Sequence, residues 1–213
     1  MTVITFASLK GGSGKTTLAL HLAHSISLAN KRVLLVDADP QGSSSSWINA
    51  REDESLFPVI GLARNSLHRD LPELLKNYDH GVIDTPPRVS TLARSAILAA
   101  DLVVIPVQPS SFDTWAASET VEVVLEAQSF KPELKAVFVI SKKVTGTAIG
   151  RAITAALKDY SFPVLKASIS QRTKFAESSI GYSVMELEPS GKAALEIKNL
   201  SSEILKVLGM EKW

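Results

Sequence analysis

Ser8-Leu9-Lys10-Gly11-Gly12-Ser13-Gly14-Lys15-Thr16-Thr17 gathers lysines, hydroxyls and glycines into one short stretch. That set suits one task, holding the phosphates of a nucleotide. Glycines let backbone N–H groups close around anionic oxygens, and a following helix N-terminus adds the favourable end of its dipole. Lys15 would reach the β- and γ-phosphates, and the Thr16 hydroxyl would ligate Mg²⁺. The flanks agree. Val3-Ile4-Thr5-Phe6-Ala7 reads as a strand, and Leu18 to Ile26 reads as a helix. The stretch departs from the plain G-x-x-x-x-G-K-[ST] pattern, because Leu9 stands where the first glycine should be. In its place Lys10 enters the first turn. Two lysines in one loop cannot easily serve the same phosphate group, so one is left to act elsewhere, for example across a subunit boundary.

Lys10-Gly11-Gly12-Ser13-Gly14-Lys15-Thr16-Thr17 fits K-G-G-x-G-K-[ST]-T at every place. Here the sequence resembles the deviant Walker A ATPases, the family of ParA, MinD and the nitrogenase iron protein. The resemblance implies ATP and Mg²⁺ as cofactors, with Lys10 through Thr17 around the phosphates. It implies cis neutralisation by Lys15 and a trans role for Lys10 in a homodimer formed with ATP bound. The chain has no cysteine, which removes thiolate metal sites and cysteine-ligated clusters and with them the iron-protein branch.

Two further acidic sites belong to the same chemistry. Val36-Asp37-Ala38-Asp39-Pro40-Gln41-Gly42 closes a second apolar strand on carboxylates. In a parallel sheet the carboxyl ends of the strands face the ligand crevice. The run resembles the family's D-x-D-P-Q switch I, which would make Asp39 the residue that orients or activates water. Asp37 would support the Mg²⁺ shell. Gly81-Val82-Ile83-Asp84-Thr85-Pro86-Pro87 is an apolar strand ending on Asp, the Walker B arrangement, in which Asp84 would hold Mg²⁺. The hydroxyl and prolines after it match the family's switch II. Arg88 reads equally as a nucleotide-responsive or a plain surface residue.

These residues need strands and helices in alternation, and the chain supplies them. Apolar runs at Val3–Ala7, Arg32–Val36, Pro58–Gly61, Gly81–Ile83, Leu102–Pro106, Ala136–Ile140 and Val164–Ala167 predict strands. Helical patterns lie near 15–29, 67–77, 90–99, 112–129, 147–159, 172–179 and 190–208. Consecutive apolar positions such as Val33-Leu34-Leu35-Val36 indicate strands covered on both faces. The expectation is a doubly wound α/β fold, a mostly parallel sheet with helices on both faces, forming a single P-loop ATPase domain over 1–213. The serine run Ser43–Ser46 reads as loop. Arg51-Glu52-Asp53-Glu54 reads as a solvated helix end, and His68 and His80 as surface residues.

Composition sets limits on partners. Lys plus Arg number 23 against 22 for Asp plus Glu, a net charge of +1, so nucleic-acid binding would have to come from a local patch. The chain starts directly on a strand without an apparent signal peptide, and its longest apolar run is too short to span a bilayer. A cytoplasmic, nucleoid-associated protein is expected.

The rest of the resemblance concerns recognition. Ser141-Lys142-Lys143 follows a strand on the nucleotide side, where the family places base contacts, so Lys142 is a candidate adenine contact beside the alternative of a solvated lysine. Ile169-Ser170-Gln171-Arg172, an aromatic at Phe175 and Gly181-Tyr182-Ser183-Val184 resemble the small, ParF-like ParA proteins. Lys166, Arg172 and Lys174, with Lys142, Lys143 and Arg151, could form a basic face for sequence-independent DNA contact. The resemblance implies plasmid or chromosome partition with a centromere-binding partner protein (ParB- or ParG-like). A cargo-positioning ATPase of the same family and a MinD-like membrane regulator are alternatives, and a nucleotide-binding kinase or metabolic P-loop enzyme, which would need a substrate pocket, is a third from a different class. The tail Lys206 to Trp213 is small for membrane docking, so a membrane is not the expected partner. Trp115 reads either as core or as part of a subunit contact.

Overall fold

The computed structural model describes every residue except 89 and 145–147, and every side chain except those and 111–116 and 148–152. Trp115 and Arg151 therefore lie outside the described side chains.

Seven strands form one parallel sheet in the order β3-β2-β4-β1-β5-β6-β7. They are β1 (Thr2–Phe6), β2 (Val33–Asp37), β3 (Val59–Gly61), β4 (His80–Asp84), β5 (Leu102–Val107), β6 (Lys135–Lys143) and β7 (Val164–Ser170). The order follows from burial. β2, β4 and β5 are buried at every position, which requires helices on both sides. Side chains alternate between two cores along each strand. Ile4, Phe6, Leu35, Val82, Val104 and Val137 face one core. Val3, Leu34, Val36 and Ile83 face the other side, with Val103, Ile105 and Phe138 further along it.

The first core is covered by α1 (Lys15–Leu28), α2 (Ser43–Asn49), α8 (Val184–Leu187) and α9 (Lys192–Leu208). α3 (Leu67–Leu74), α4 (Thr91–Ala99), α5 (Ser111–Phe130) and α6 (Ala148–Leu157) close the opposite face. α7 (Thr173–Glu177) and a 3₁₀ turn at Ser178–Ile180 link β7 to α8. The doubly wound architecture expected from the sequence is thus the observed one. No helix among the described residues is long and apolar enough to cross a membrane.

The serine run is helix, not loop. Serine is an indifferent helix former, and tertiary contacts supply what propensity lacks. Gly42 turns the chain at φ 66°, and the Asp37 carboxylate accepts the first-turn N–H of Ser45 at 2.9 Å. Trp47 is buried and donates its indole N–H to the Ser178 carbonyl.

Arg51 is likewise not a solvated end. Its side chain is 7 % exposed, pairs with Glu186 at 2.8 Å and donates to the Gly181 carbonyl at 3.1 Å. Gly181 has φ +92°, and a Cβ there would lie 2.7 Å from the Arg51 nitrogen. Glycine is needed because two backbones meet at that point. His80 is buried rather than at the surface, edge-on to Trp213, and the Trp213 indole donates to Ser201 Oγ at 2.7 Å. The tail therefore ends against the core. One-sided sequence patterns miss such long-range polar closures.

α1 is fastened to the C-terminal segment by two buried histidines. His21 Nδ1 lies 2.6 Å from the Thr17 carbonyl, which makes it the donor, and its Nε2 accepts the Val184 N–H at 3.1 Å. His24 pairs with Ser183 Oγ, which also caps α8. Burial pushes His21 down from 6.5 to about 4; the Thr17 carbonyl and Glu186 oppose this, and His24 adds to it. Burial also lowers His24, with Glu186 opposing and Arg51 reinforcing.

The sign is definite. Above pH 6.5 neither folded nor unfolded His21 holds the second proton. Below it the unfolded chain takes a proton that the fold excludes until about pH 4. At about 1.4 kcal/mol per pH unit, this costs on the order of 3 kcal/mol of stability. Denaturant titrations of the wild type and His21→Gln between pH 7 and 4 are expected to show a steeper loss in the wild type. Parallel losses would contradict the assignment.

Candidate nucleotide site

Strand register assembles the site. Phe6 and Asp37 both pair with Asp84, so the phosphate loop after β1, the acidic turn after β2 and the end of β4 lie side by side at one edge of the sheet. Adjacent parallel strands are only about 4.8 Å apart.

The loop is held open from outside. Gln108 donates to the Gly12 carbonyl at 2.7 Å, Ser141 to the Ser13 carbonyl, and the Arg88 N–H to the Leu9 carbonyl at 2.9 Å. Because the peptide is planar and trans, each tethered carbonyl turns the next N–H the opposite way. Gly12 and Gly14 take φ 75° and 97°, which only glycine adopts without strain. Gly11 needs no such conformation, but it lies on the exposed rim of the loop. Gly14 then leads directly into α1, and Leu18 N–H closes the first turn on its carbonyl.

Lys15 is buried and folds back so that Nζ donates to the Lys10 carbonyl at 3.2 Å. Burial lowers its ionisation, and the charges of Asp84 and Asp39 raise it. One cation is therefore already installed inside the loop. Lys10, half-exposed, stands at its other shoulder.

Asp84 is fully buried. Burial pushes its carboxyl up to about 7, the Thr16 and Ser44 hydroxyls and Lys15 lower it, and Asp37 raises it. Its Oδ2 accepts from Ser44 at 2.9 Å, while Oδ1 has no hydrogen-bond partner. Ser13 Oγ is similarly buried without a partner. Buried polar atoms are rarely left unpaired. A carboxylate with one free oxygen beside a threonine hydroxyl is the donor set of a hard divalent cation. Thr16 and Asp84 would hold Mg²⁺, which, when bound, neutralises phosphate charge.

The other acids divide the work. Asp37 Oδ2 accepts the Ser45 N–H and hydroxyl at 2.9 and 3.0 Å, and Oδ1 accepts the Asp39 N–H at 3.3 Å. Asp37 thus fixes the turn from behind. Asp39 Oδ1 accepts the Gln41 N–H at 3.0 Å, a local turn that leaves the residue half-exposed at the mouth.

A cleft of about 900 Å³ opens beside Gly14 and Thr17, lined by Ser141, Lys142, Gln171, Arg172 and Phe175. That volume suits a nucleoside. Lys142 reaches it from a left-handed backbone, φ 51°, on a β6 that runs past the expected end at Ile140. Ser141 opens the segment expected on the nucleotide side, but nothing in the sequence assigns it or Gln108 as a tether of the phosphate loop, because both act from strands distant in sequence. Ser44 was visible only as part of a serine run.

Two of the candidate DNA-contacting cations are paired with carboxylates of their own chain. Arg172 donates to Glu196 at 2.6 and 3.1 Å, and Lys174 pairs with Glu177 at 2.6 Å. Lys166 is exposed on β7.

Comparison with known proteins agrees with this geometry. The CobQ/CobB/MinD/ParA nucleotide binding domain matches residues 4–181. The maintenance of carboxysome distribution protein A of Halothiobacillus neapolitanus is 31% identical over 207 residues, 95% of each chain. The chromosome-partitioning ATPase Soj of Thermus thermophilus is 27% identical and covers 95% of this chain and 94% of its own. The septum site-determining protein MinD of Pyrococcus horikoshii, solved with Mg-ADP, shares the fold with a TM-score of 0.79 at 21% identity, over 98% of this chain and 97% of its own. A phosphate loop with two lysines, a buried Walker B aspartate and a match spanning most of the sequence place the chain in the CobQ/CobB/MinD/ParA family of nucleotide-binding proteins.

Proposed function

We propose that the protein is a Mg²⁺-dependent ATPase that works as an ATP-driven dimerisation switch and positions a cargo over the nucleoid. The observation that carries this reading is the paired lysines. Lys15 donates within the loop of its own chain, and Lys10 is a second, half-exposed cation at the same loop. A triphosphate between two chains would use both. Lys15 neutralises in cis, and the partner copy's equivalent of Lys10 stabilises transition-state charge in trans. Asp39 orients the attacking water. The three-phosphate state holds the dimer, and hydrolysis releases it.

Two cargoes fit the family. One is plasmid or chromosomal DNA, with a centromere-binding partner that stimulates hydrolysis. The other is a protein assembly carried on the nucleoid. The greater identity to the carboxysome-distribution relative favours the second. Both use non-specific DNA binding by the ATP dimer, through Lys166 and neighbouring cations. The Trp213 side chain is buried against His80 and Ser201 and is not presented to a membrane.

Co-sedimentation with random-sequence DNA tests the reading. Binding is expected with a slowly hydrolysed ATP analogue and not with ADP, weakening steeply as salt rises. Equal retention in both nucleotide states, or none in either, would contradict it.

A further inference from the structure

The serine run has a use that the phosphate loop and the two switch acids do not explain. Its members divide between two faces of the helix. Ser43 and Ser46 are exposed, while Ser44 and Ser45 turn toward the site. Ser45 serves Asp37 through both its N–H and its hydroxyl. Ser44, 0 % exposed, reaches past it to Asp84 Oδ2 on the neighbouring strand at 2.9 Å. A helix that begins just after Asp39 is therefore pinned to the carboxylates of two different strands.

The Ser44 bond has two consequences. First, it fixes the rotation of the Asp84 carboxylate. The Ser44 hydroxyl holds Oδ2, the Thr16 hydroxyl also acts on this carboxylate, and among the described residues Oδ1 is the oxygen left without a partner and available to a cation. Second, it joins the element that bears the cation to the element that bears Asp39. Ser44 sits at the start of α2, five residues beyond Asp39. The Gly42 N–H bonds back to the Asp39 carbonyl at 2.9 Å, and the Ser46 N–H to the Gly42 carbonyl at 2.8 Å. A shift of the Asp84 carboxylate on binding a cation is passed through one hydroxyl to this short chain of turns.

We propose that Ser44 is a positioning residue that orients Asp84 for the cation and, through the same bond, couples cation binding to the order of the Asp39 turn. The inference rests on the reading of this site as a Mg²⁺–nucleotide site. Ser44 need not touch nucleotide or water. Removing a group that steadies a ligating carboxylate typically costs about 10–100-fold in metal affinity.

The test uses the full chain, a fluorescent ADP analogue and Mg²⁺, and needs no turnover. Ser44→Ala removes the hydroxyl. Ser44→Cys keeps nearly the same bulk but replaces a good donor with a weak one. Nucleotide affinity in EDTA is expected to match wild type within about twofold, because no phosphate-loop contact is lost. The Mg²⁺ concentration for half-maximal effect on nucleotide binding is expected to rise by about tenfold in both variants, the lower end for such residues. Hydrogen exchange across residues 39–47 should slow on adding Mg²⁺ and ADP in the wild type, and much less in the variants.

A Ser44→Cys protein with wild-type Mg²⁺ dependence would show that Ser44 only fills space, and would overturn the proposal. So would weakened nucleotide binding in EDTA, which would make Ser44 a general support of the fold. Failure of the underlying reading looks different, since there the wild type itself would bind nucleotide without regard to Mg²⁺.

Discussion

Replacing Lys10 with alanine is expected to leave ATP binding within a few-fold of wild type while abolishing ATP-dependent dimerisation and lowering turnover by about 10³-fold, the lower end for a cation supplied to phosphoryl transfer from a second chain. The separation of binding from turnover is the point. Lys15 is buried within the loop, and on the proposed reading it would neutralise the phosphates bound by its own chain. The carbonyls of the loop are tethered by Gln108, Ser141 and the Arg88 backbone, and alanine at position 10 leaves those tethers in place. Lys10 contributes its backbone carbonyl to Lys15, and alanine keeps that. The loss should therefore fall on what the second chain needs. Gel filtration with a slowly hydrolysed analogue, alongside phosphate release, reads both quantities. A Lys10→Ala protein that dimerises and turns over normally would remove Lys10 from the mechanism.

Asp39→Ala should give the opposite split. Nucleotide and Mg²⁺ binding are expected to persist, turnover to fall by about 10²–10⁴-fold, the range for losing a positioned acid–base group, and the ATP dimer to outlive that of the wild type. The reason is structural. Asp37, not Asp39, holds the turn, through three hydrogen bonds from Asp39 and Ser45. Among the described residues the hydrogen bond shown for the Asp39 carboxylate is a local one from the Gln41 N–H, so its loss should leave the framework standing. Single-turnover hydrolysis and dimer lifetime with ATP measure the effect. Normal hydrolysis would return Asp39 to the role of a turn residue, and loss of nucleotide binding would show that it supports the site rather than the chemistry.

The parts of the site that were legible in the sequence are those written in contiguous residues. The loop, Asp37–Asp39 and Asp84 each sit at the end of an apolar run, and a parallel sheet brings such ends together whatever the order of its strands. Strands buried on both faces announced themselves as unbroken apolar runs, which is why the two-sided fold could be read.

What stayed hidden depends on partners far away in the chain. Ser43–Ser46 has middling helical propensity and no apolar period, and contacts to Asp37, Asp84 and the socket for Trp47 support it as a helix. Arg51 looks like the start of a charged loop until Glu186 and Gly181 come beside it. His80 looks exposed until Trp213 covers it. Polar residues buried by long-range contacts carry no periodic signal, so pattern reading assigns them to solvent by default. The same holds for Gln108, just past the end of β5, and Ser141, within the last residues of β6, which shape the phosphate loop from strands distant in sequence.

The central claim is that a third phosphate, shared between lysines of two copies, holds those copies together. Sedimentation velocity of the purified chain with Mg²⁺, once with ADP and once with a slowly hydrolysed ATP analogue, addresses it most directly. The expected result is the mass of one chain with ADP and of two with the analogue. A single-chain mass with both nucleotides, under conditions where each is shown to be bound, would contradict the account.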